Sequence, residues 1–332
     1  MARLKIPLAL GLAAAAVLLW ALREDLRLPW QRTYRFETEQ PGCVAGIISE
    51  NYGALGLPTG FISFYLAWGD GFPAAEIKAA RAASSILALT WEPYLKSDPD
   101  RSLLGEIAAG GYDAYMRSMA AAIKAYRKPV LIRWGHEPNG DWYAWAGAKN
   151  SRDAGQYRLA WRRMAGIIRA EAGPKARLVF SVNGEDKPAE KWNRFENYYP
   201  GDEYTDAVGL DIYNWGDTQA WSAWSRPNLL LKDPYARALA LAPDKPVFLT
   251  EVASCSSGGN KAEWVRRLFY RLQSRYTAVK GFMWFDYDKE CDWRVSADPG
   301  AASVYSAGAN SRHFTSDGAG LDWFFKKEKN GR

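Results

Sequence analysis

Apolar and polar positions come in blocks along this chain. Short apolar runs bounded by Gly, Pro or acidic residues recur at Cys43–Ser49, Phe61–Trp68, Ser85–Thr90, Val130–Ile132, Arg177–Asn183, Asp206–Tyr213, Pro246–Thr250 and Val279–Phe285. Runs of about four to eight residues rich in β-branched and aromatic side chains predict buried strands. Between them, helical composition or three- and four-residue apolar spacing predicts helices. These are Ala74–Ala83, a segment carrying Tyr112, Tyr115, Met116, Met119, Ile123 and Tyr126, Ala154–Glu171 (ended by Gly173-Pro174), Pro234–Leu241 and Lys261–Tyr276. Eight strands separated by helices or long connections, over about 250 residues, predict a (β/α)8 TIM barrel. A doubly wound open sheet is the alternative, but no Gly-x-Gly-x-x-Gly fingerprint accompanies it.

The first block differs from the rest. Arg3 and Lys5 precede an apolar run from Ile6 to Leu22, which reads as a signal peptide or a membrane anchor. No small-x-small cleavage site lies between the run and Arg23, which favours an uncleaved anchor. The chain therefore divides into residues 1–22 as signal or anchor, 23–39 as a polar tether, and 40–332 as one barrel domain.

Polar groups collect where the strands end. After Val130–Ile132 come Arg133, His136, Glu137 and Asn139, then Trp142 and Trp145; Pro246–Thr250 runs straight into Glu251. In a (β/α)8 barrel the C-terminal strand ends carry the site. Strands four and seven face each other across the barrel, so Glu137 and Glu251 can face one another over a substrate. Glycosidic bond cleavage needs such a carboxylate pair. Each glutamate taken alone is also open to a structural role, as an ion-paired carboxylate near Arg133 or Arg294.

Composition adds to this. Aromatic residues make up 14% of the chain, with 16 Trp and 18 Tyr. Trp68, Trp91, Trp142, Trp145, Trp215 and Trp284 cluster near strand ends, where flat rings can stack on sugars or simply pack. The net charge of +6 and pI near 9.0 come from scattered Lys and Arg with no nucleic-acid motif, so no nucleic-acid partner is expected. Two histidines and three unclustered cysteines provide no metal-ligand spacing, so no metal is expected. Cys255 and Cys291 follow late strands and can either pair or, with Cys43, remain free. The acidic loop Asp286–Asp292 is either a solvated loop or a cation site.

The stretch Arg133-Trp134-Gly135-His136-Glu137-Pro138-Asn139-Gly140-Asp141-Trp142-Tyr143-Ala144-Trp145 closely resembles the acid/base motif of glycoside hydrolase family 26. Gly111-Tyr112-Asp113, Trp91-Glu92-Pro93, Tyr199–Tyr204 and Gly209–Asn214 are similar to that family too, so the resemblance covers roughly Gly42 to Val295. It implies a retaining endo-β-glycanase on a (β/α)8 barrel, acting without a cofactor on a β-1,4 or mixed β-1,3-1,4 polysaccharide such as β-glucan or mannan. Glu137 then corresponds to the general acid/base and Glu251 to the nucleophile. His136 corresponds to a sugar contact, Tyr213 to a hydrogen-bond partner of the nucleophile, and Asp211 to a supporting carboxylate at the substrate site. Trp91, Trp142 and Trp284 correspond to subsite platforms. The chain departs from mannan-active relatives in lacking a further histidine on its early strands, where it has Tyr65, Trp68 and Asp70. The implied protein is a monomer outside the cytoplasm, periplasmic or secreted, held to the inner membrane by residues 6–22. The other reading is a catalytically silent polysaccharide-binding or assembly protein on the same barrel.

Overall fold

The computed structural model describes residues 42–80 and 84–326, together with Glu37 and Gln40. The predicted anchor at 1–22, nearly all of the tether and the last residues of the predicted helix 74–83 lie outside the described residues. Among the described residues no helix is long and apolar enough to cross a membrane.

Eight parallel strands form the barrel: β1 (Cys43–Ser49), β2 (Phe61–Ala67), β3 (Ile86–Glu92), β4 (Val130–Trp134), β5 (Ala176–Asn183), β6 (Ala207–Asn214), β7 (Val247–Ser254) and β8 (Val279–Asp286). They pair in sequential order from β2 to β8, and β8 pairs with β1. That order rules out the doubly wound sheet, whose strand order reverses at a switch point. β1 and β2 meet less regularly. The Gly60 amide donates to Ala45 O at 2.9 Å, and the Thr59 hydroxyl accepts from the Ile47 amide at 2.9 Å. β1, β3, β4, β7 and β8 are buried along their whole length. Helices cover one face and the barrel interior the other, hence the near-continuous apolar runs.

The outer layer comprises α1 (Ala74–Ala80), α2 (Leu104–Ala109), α3 (Asp113–Tyr126), α4 (Ala154–Glu171), α5 (Pro227–Leu241), α6 (Lys261–Ser274), α7 (Pro299–Ala309) and α8 (Asp322–Phe325). One expectation changes here. The helix predicted from Pro234 starts seven residues earlier, with Pro227 in its first turn and Pro234 inside it. Proline at a helix start costs no hydrogen bond, whereas Pro234 disguises the continuation. The short α2 has no period long enough to be read from sequence. The tail is part of the barrel: β9 (Phe314–Thr315) pairs with β1, and Phe324 packs on Phe248 at the floor. Phe61 and Phe248 fill that floor because glycines face them. A Cβ at Gly46 would lie 2.4 Å from Phe61, and one at Gly281 would lie 2.8 Å from Phe248.

Cys255 and Cys291 form a disulfide, with Cα atoms 6.1 Å apart, and Cys43 is free and buried. The bond ties the end of β7 to the acidic loop after β8. That loop is internally paired: Asp286 accepts from the amides of Val295 and Ser296, and Arg294 donates to Asp288 and Asp292. Among the described residues, no cluster of His, Cys, Asp or Glu could hold a metal ion.

Candidate active site

The site is built around Arg133, the fourth residue of β4 and only 3% exposed. Its guanidinium donates to Asp211 at the middle of β6, to Glu251 Oε1 at 2.5 Å, to Ser181 at 2.9 Å and to Thr90 at 3.3 Å. A buried cation needs this kind of saturation to be tolerated. Thr250 donates to Asp211 at 2.7 Å and shares a 2.7 Å hydrogen bond with Ser181. Gly209 leaves room for that pair, since a Cβ there would lie 2.7 Å from the Thr250 hydroxyl.

Glu251 lies within β7 rather than just after it, and its orientation depends on an irregularity. The pairing with β6 shifts between Leu210 and Asp211, and the pairing with β8 shifts between Leu249 and Val252. In a regular strand Thr250 and Glu251 would point to opposite faces. Here a bulge-like irregularity brings both to the barrel interior, the usual effect of a bulge beside a site. Three donors then converge on Glu251: Arg133 and Tyr65 (2.6 Å) on Oε1, and Tyr213 on Oε2. Burial, followed by the Glu251 charge, pushes both tyrosine hydroxyls well above their ordinary range. They therefore remain donors.

Glu137 sits on the loop after β4, 5% exposed, with a left-handed backbone (φ 49°) that an ordinary residue rarely adopts. Such strain persists only where the surroundings enforce it. Its amide donates to Ser181 O at 2.9 Å, which fixes the loop over β5. Among the described residues its carboxyl accepts only from neutral donors, Asn183 Nδ2 at 2.8 Å and Trp142 Nε1 at 2.9 Å. Burial raises its pKa well above the ordinary carboxylate range; the charges of Asp211 and Glu251 add to the rise, and Arg133 opposes it. The two glutamates thus have opposite surroundings.

A cavity of about 750 Å³ opens over this pair, bordered by Tyr65, Trp142, Tyr143, Tyr213, Trp215 and Trp293 among others. Trp142, 39% exposed, is a wall of it, and Trp221, 64% exposed, stands at its outer end. Four sequence assignments are corrected. Trp91 is 1% exposed and donates to Tyr115, and Trp284 is 0% exposed and donates to Trp293 O. Both point away from the cavity into the helical layer, so neither is a platform. His136 is 1% exposed behind Tyr143, whose hydroxyl is 2.8 Å from Nε2, and its Nδ1 has no partner among the described residues. Burial keeps that imidazole neutral by lowering its pKa well below the ordinary value, and Tyr143 takes its place at the cavity wall. Asp211 borders the cavity floor, but its side chain is fully buried against Arg133, Thr250 and Ser181. It supports the site and does not reach a ligand.

Sequence reasoning missed Asn183, Tyr143, Trp221 and Trp293. Asn183 ends β5, and a polar residue at the C-terminal end of a barrel strand was a usable signal. The others lie on connections whose course only the fold reveals.

Eight sequential parallel strands with a buried carboxylate pair at their C-terminal rim define the class, a (β/α)8 barrel with its site in the loop-bearing face. Comparison supplies the relatives. Residues 111–236 match the model of glycosyl hydrolase family 26. It is 37% identical to Endoglucanase H of Acetivibrio thermocellus over 236 residues, 70% of this chain and 25% of that protein. It is 24% identical to the beta-1,3-xylanase TXYA of a Vibrio species over 217 residues, 59% of this chain and 44% of that one. The chain therefore spans less than half the length of these two relatives. In fold it is similar to a family 26 β-mannanase of Bacteroides ovatus, with a TM-score of 0.65 at 17% identity, covering 89% of this chain and 96% of that one.

Proposed function

We propose that this barrel is a retaining endo-β-glycanase acting by double displacement. The observation that carries the reading is the asymmetry of the glutamates. Glu137, buried among neutral donors with its pKa raised, holds the proton a leaving oxygen needs. Glu251, held by Arg133, Tyr65 and Tyr213, is positioned as an anionic nucleophile. Glu137 protonates the glycosidic oxygen while Glu251 bonds to the anomeric carbon, breaking the C–O bond and forming a glycosyl ester. Glu137, now ionised, removes a proton from water, whose oxygen attacks the same carbon and releases Glu251.

The cavity fits a neutral chain. Asp211 and Glu251 share Arg133, Lys187 pairs with Glu185, and Glu137, Asp141 and Glu290 outnumber Lys289 at its rim. β-Glucans, β-1,4 or mixed β-1,3-1,4, come ahead of mannan, because the 37%-identical relative is named an endoglucanase while the β-mannanase is alike in fold alone. The domain, residues 40–332, works as a monomer. It works outside the cytoplasm, where the Cys255–Cys291 disulfide is stable, with residues 6–22 as its membrane anchor.

The test is a reducing-sugar assay of the purified full chain on mixed-linkage β-glucan, cellulose, glucomannan, mannan and xylan, beside Glu251→Ala. Turnover of at least one β-linked polymer, lost by more than ~100-fold in the variant, is the expected result. Equal activity in both proteins would remove Glu251 from the mechanism. Binding without turnover on every polymer would favour a silent binding protein.

A further inference from the structure

One carboxylate in the barrel mouth has no role in the chemistry above. Glu92 is the last residue of β3, 9% exposed. Alternate residues of a strand share a face, so Glu92 lies on the same side as Thr90, which accepts from Arg133 inside the barrel. It therefore stands one layer above the Arg133 network, toward the C-terminal rim of the barrel. Its neighbours leave it alone: in register beside it on β2 is Ala67, and on the other side β4 has already ended at Trp134. The carboxylates of Glu137, Asp211 and Glu251 each accept hydrogen bonds from side chains. Among the described residues nothing donates to the carboxylate of Glu92. Arg133, Glu251 and Lys289 act on it only through their charges. Its own charge is felt by Tyr143, which with Lys289 borders the cavity.

A largely buried carboxyl to which no protein group donates is costly to keep, and in a glycanase substrate hydroxyls can supply the missing partners. We propose that Glu92 is a specificity-determining residue, hydrogen-bonding one or two hydroxyls of the sugar seated over Glu251 between Tyr65 and Tyr143. Burial pushes its pKa up to about 7, with Arg133 and Lys289 opposing the rise, so near neutral pH it can accept from one hydroxyl or donate to another. A site built to bond a hydroxyl rejects the sugar that lacks it, which makes Glu92 a selector among sugars differing in hydroxyl configuration.

This inference rests on the glycanase reading, and the experiment separates the two. On the polymer the wild type cleaves, and on aryl β-glycosides lacking one hydroxyl at a time in the cleavage-site sugar, kcat and KM are measured for wild type, Glu92→Gln and Glu92→Ala. One deoxy substitution should cost the wild type about 10–100-fold in kcat/KM, the range for a hydrogen bond to a charged group. The same substitution should cost both variants less than about threefold. Thermal unfolding checks that the variants fold. Variants with wild-type kcat/KM, or weakened variants that keep every deoxy penalty, would overturn the inference. So would a wild type indifferent to every deoxy substitution, a result that needs no variant. If the wild type cleaves no polymer, the glycanase reading fails. Calorimetric binding of the same deoxy sugars then decides Glu92 independently, a penalty present in the wild type and lost in the variants supporting it.

Discussion

Replacing Arg133 with methionine tests the assembly of the site most directly. Methionine keeps much of the aliphatic stem, so the perturbation is chiefly the lost guanidinium. That group is 3% exposed and holds Asp211, Glu251, Ser181 and Thr90 together. Without it, two buried carboxylates share one interior with no cation between them. Removing one partner of a buried ion pair costs about 3–5 kcal/mol, a large part of the ~5–15 kcal/mol that holds a domain folded. With a urea m-value of about 3 kcal/mol/M, the midpoint should fall by about 1–2 M. Denaturation followed by tryptophan fluorescence reads this, with 16 Trp as probes. The penalty should depend on pH. Burial raises Asp211 to about 7 even with Arg133 drawing it down, against an unfolded value of about 3.9. The folded state holds that proton more tightly, so this contribution to stability is full below about pH 4 and is lost as pH rises through about 7. Without Arg133 the upper end of that window moves higher. The methionine variant should therefore be closest to wild type near pH 5 and furthest from it near pH 8. Adding Asp211→Asn removes one orphaned charge and should recover part of the loss. A penalty under ~1 kcal/mol at pH 8, or no recovery in the double variant, would refute the account of Arg133 as the buried counter-ion of the site.

Two further outcomes follow from single contacts. Asn183 donates to the Glu137 carboxylate and favours its charged form, so in Asn183→Ala the alkaline limb of kcat/KM should move up by about one pH unit; a fixed or lowered limb would separate Asn183 from the acid/base group. The Cys255–Cys291 bond closes a separation of 36 residues, for which chain entropy gives about 4 kcal/mol. The double serine variant should melt earlier by roughly that amount, with a raised KM because the freed loop carries Lys289, Glu290 and Trp293 at the cavity rim; an unchanged melt would show the bond to be idle.

Much of this molecule was legible in its sequence. Eight short apolar runs set the strand count, because strands buried on both faces must be apolar throughout. Placement directly after an apolar run marked Glu137 and Glu251, because the barrel gathers its polar groups toward the C-terminal part of its strands. The family motif carried the resemblance. Tertiary structure alone decided which aromatics meet the cavity. Trp91, Trp142 and Trp284 look alike in sequence, yet only Trp142 lies on a loop turned toward the cavity, while the other two occupy strand positions whose parity sends them into the helical layer. Strand pattern could not reveal the irregularity at Thr250–Glu251 either, since a register shift is a property of paired strands and not of one. The partners of a buried charge are equally invisible, because Arg133, Asp211 and Glu251 are brought together from three strands across 118 residues. The sequence by itself thus determined the barrel and its two glutamates, through local pattern. The surroundings that set those glutamates apart, and that leave Glu92 without a donor among the described residues, came from packing between distant segments.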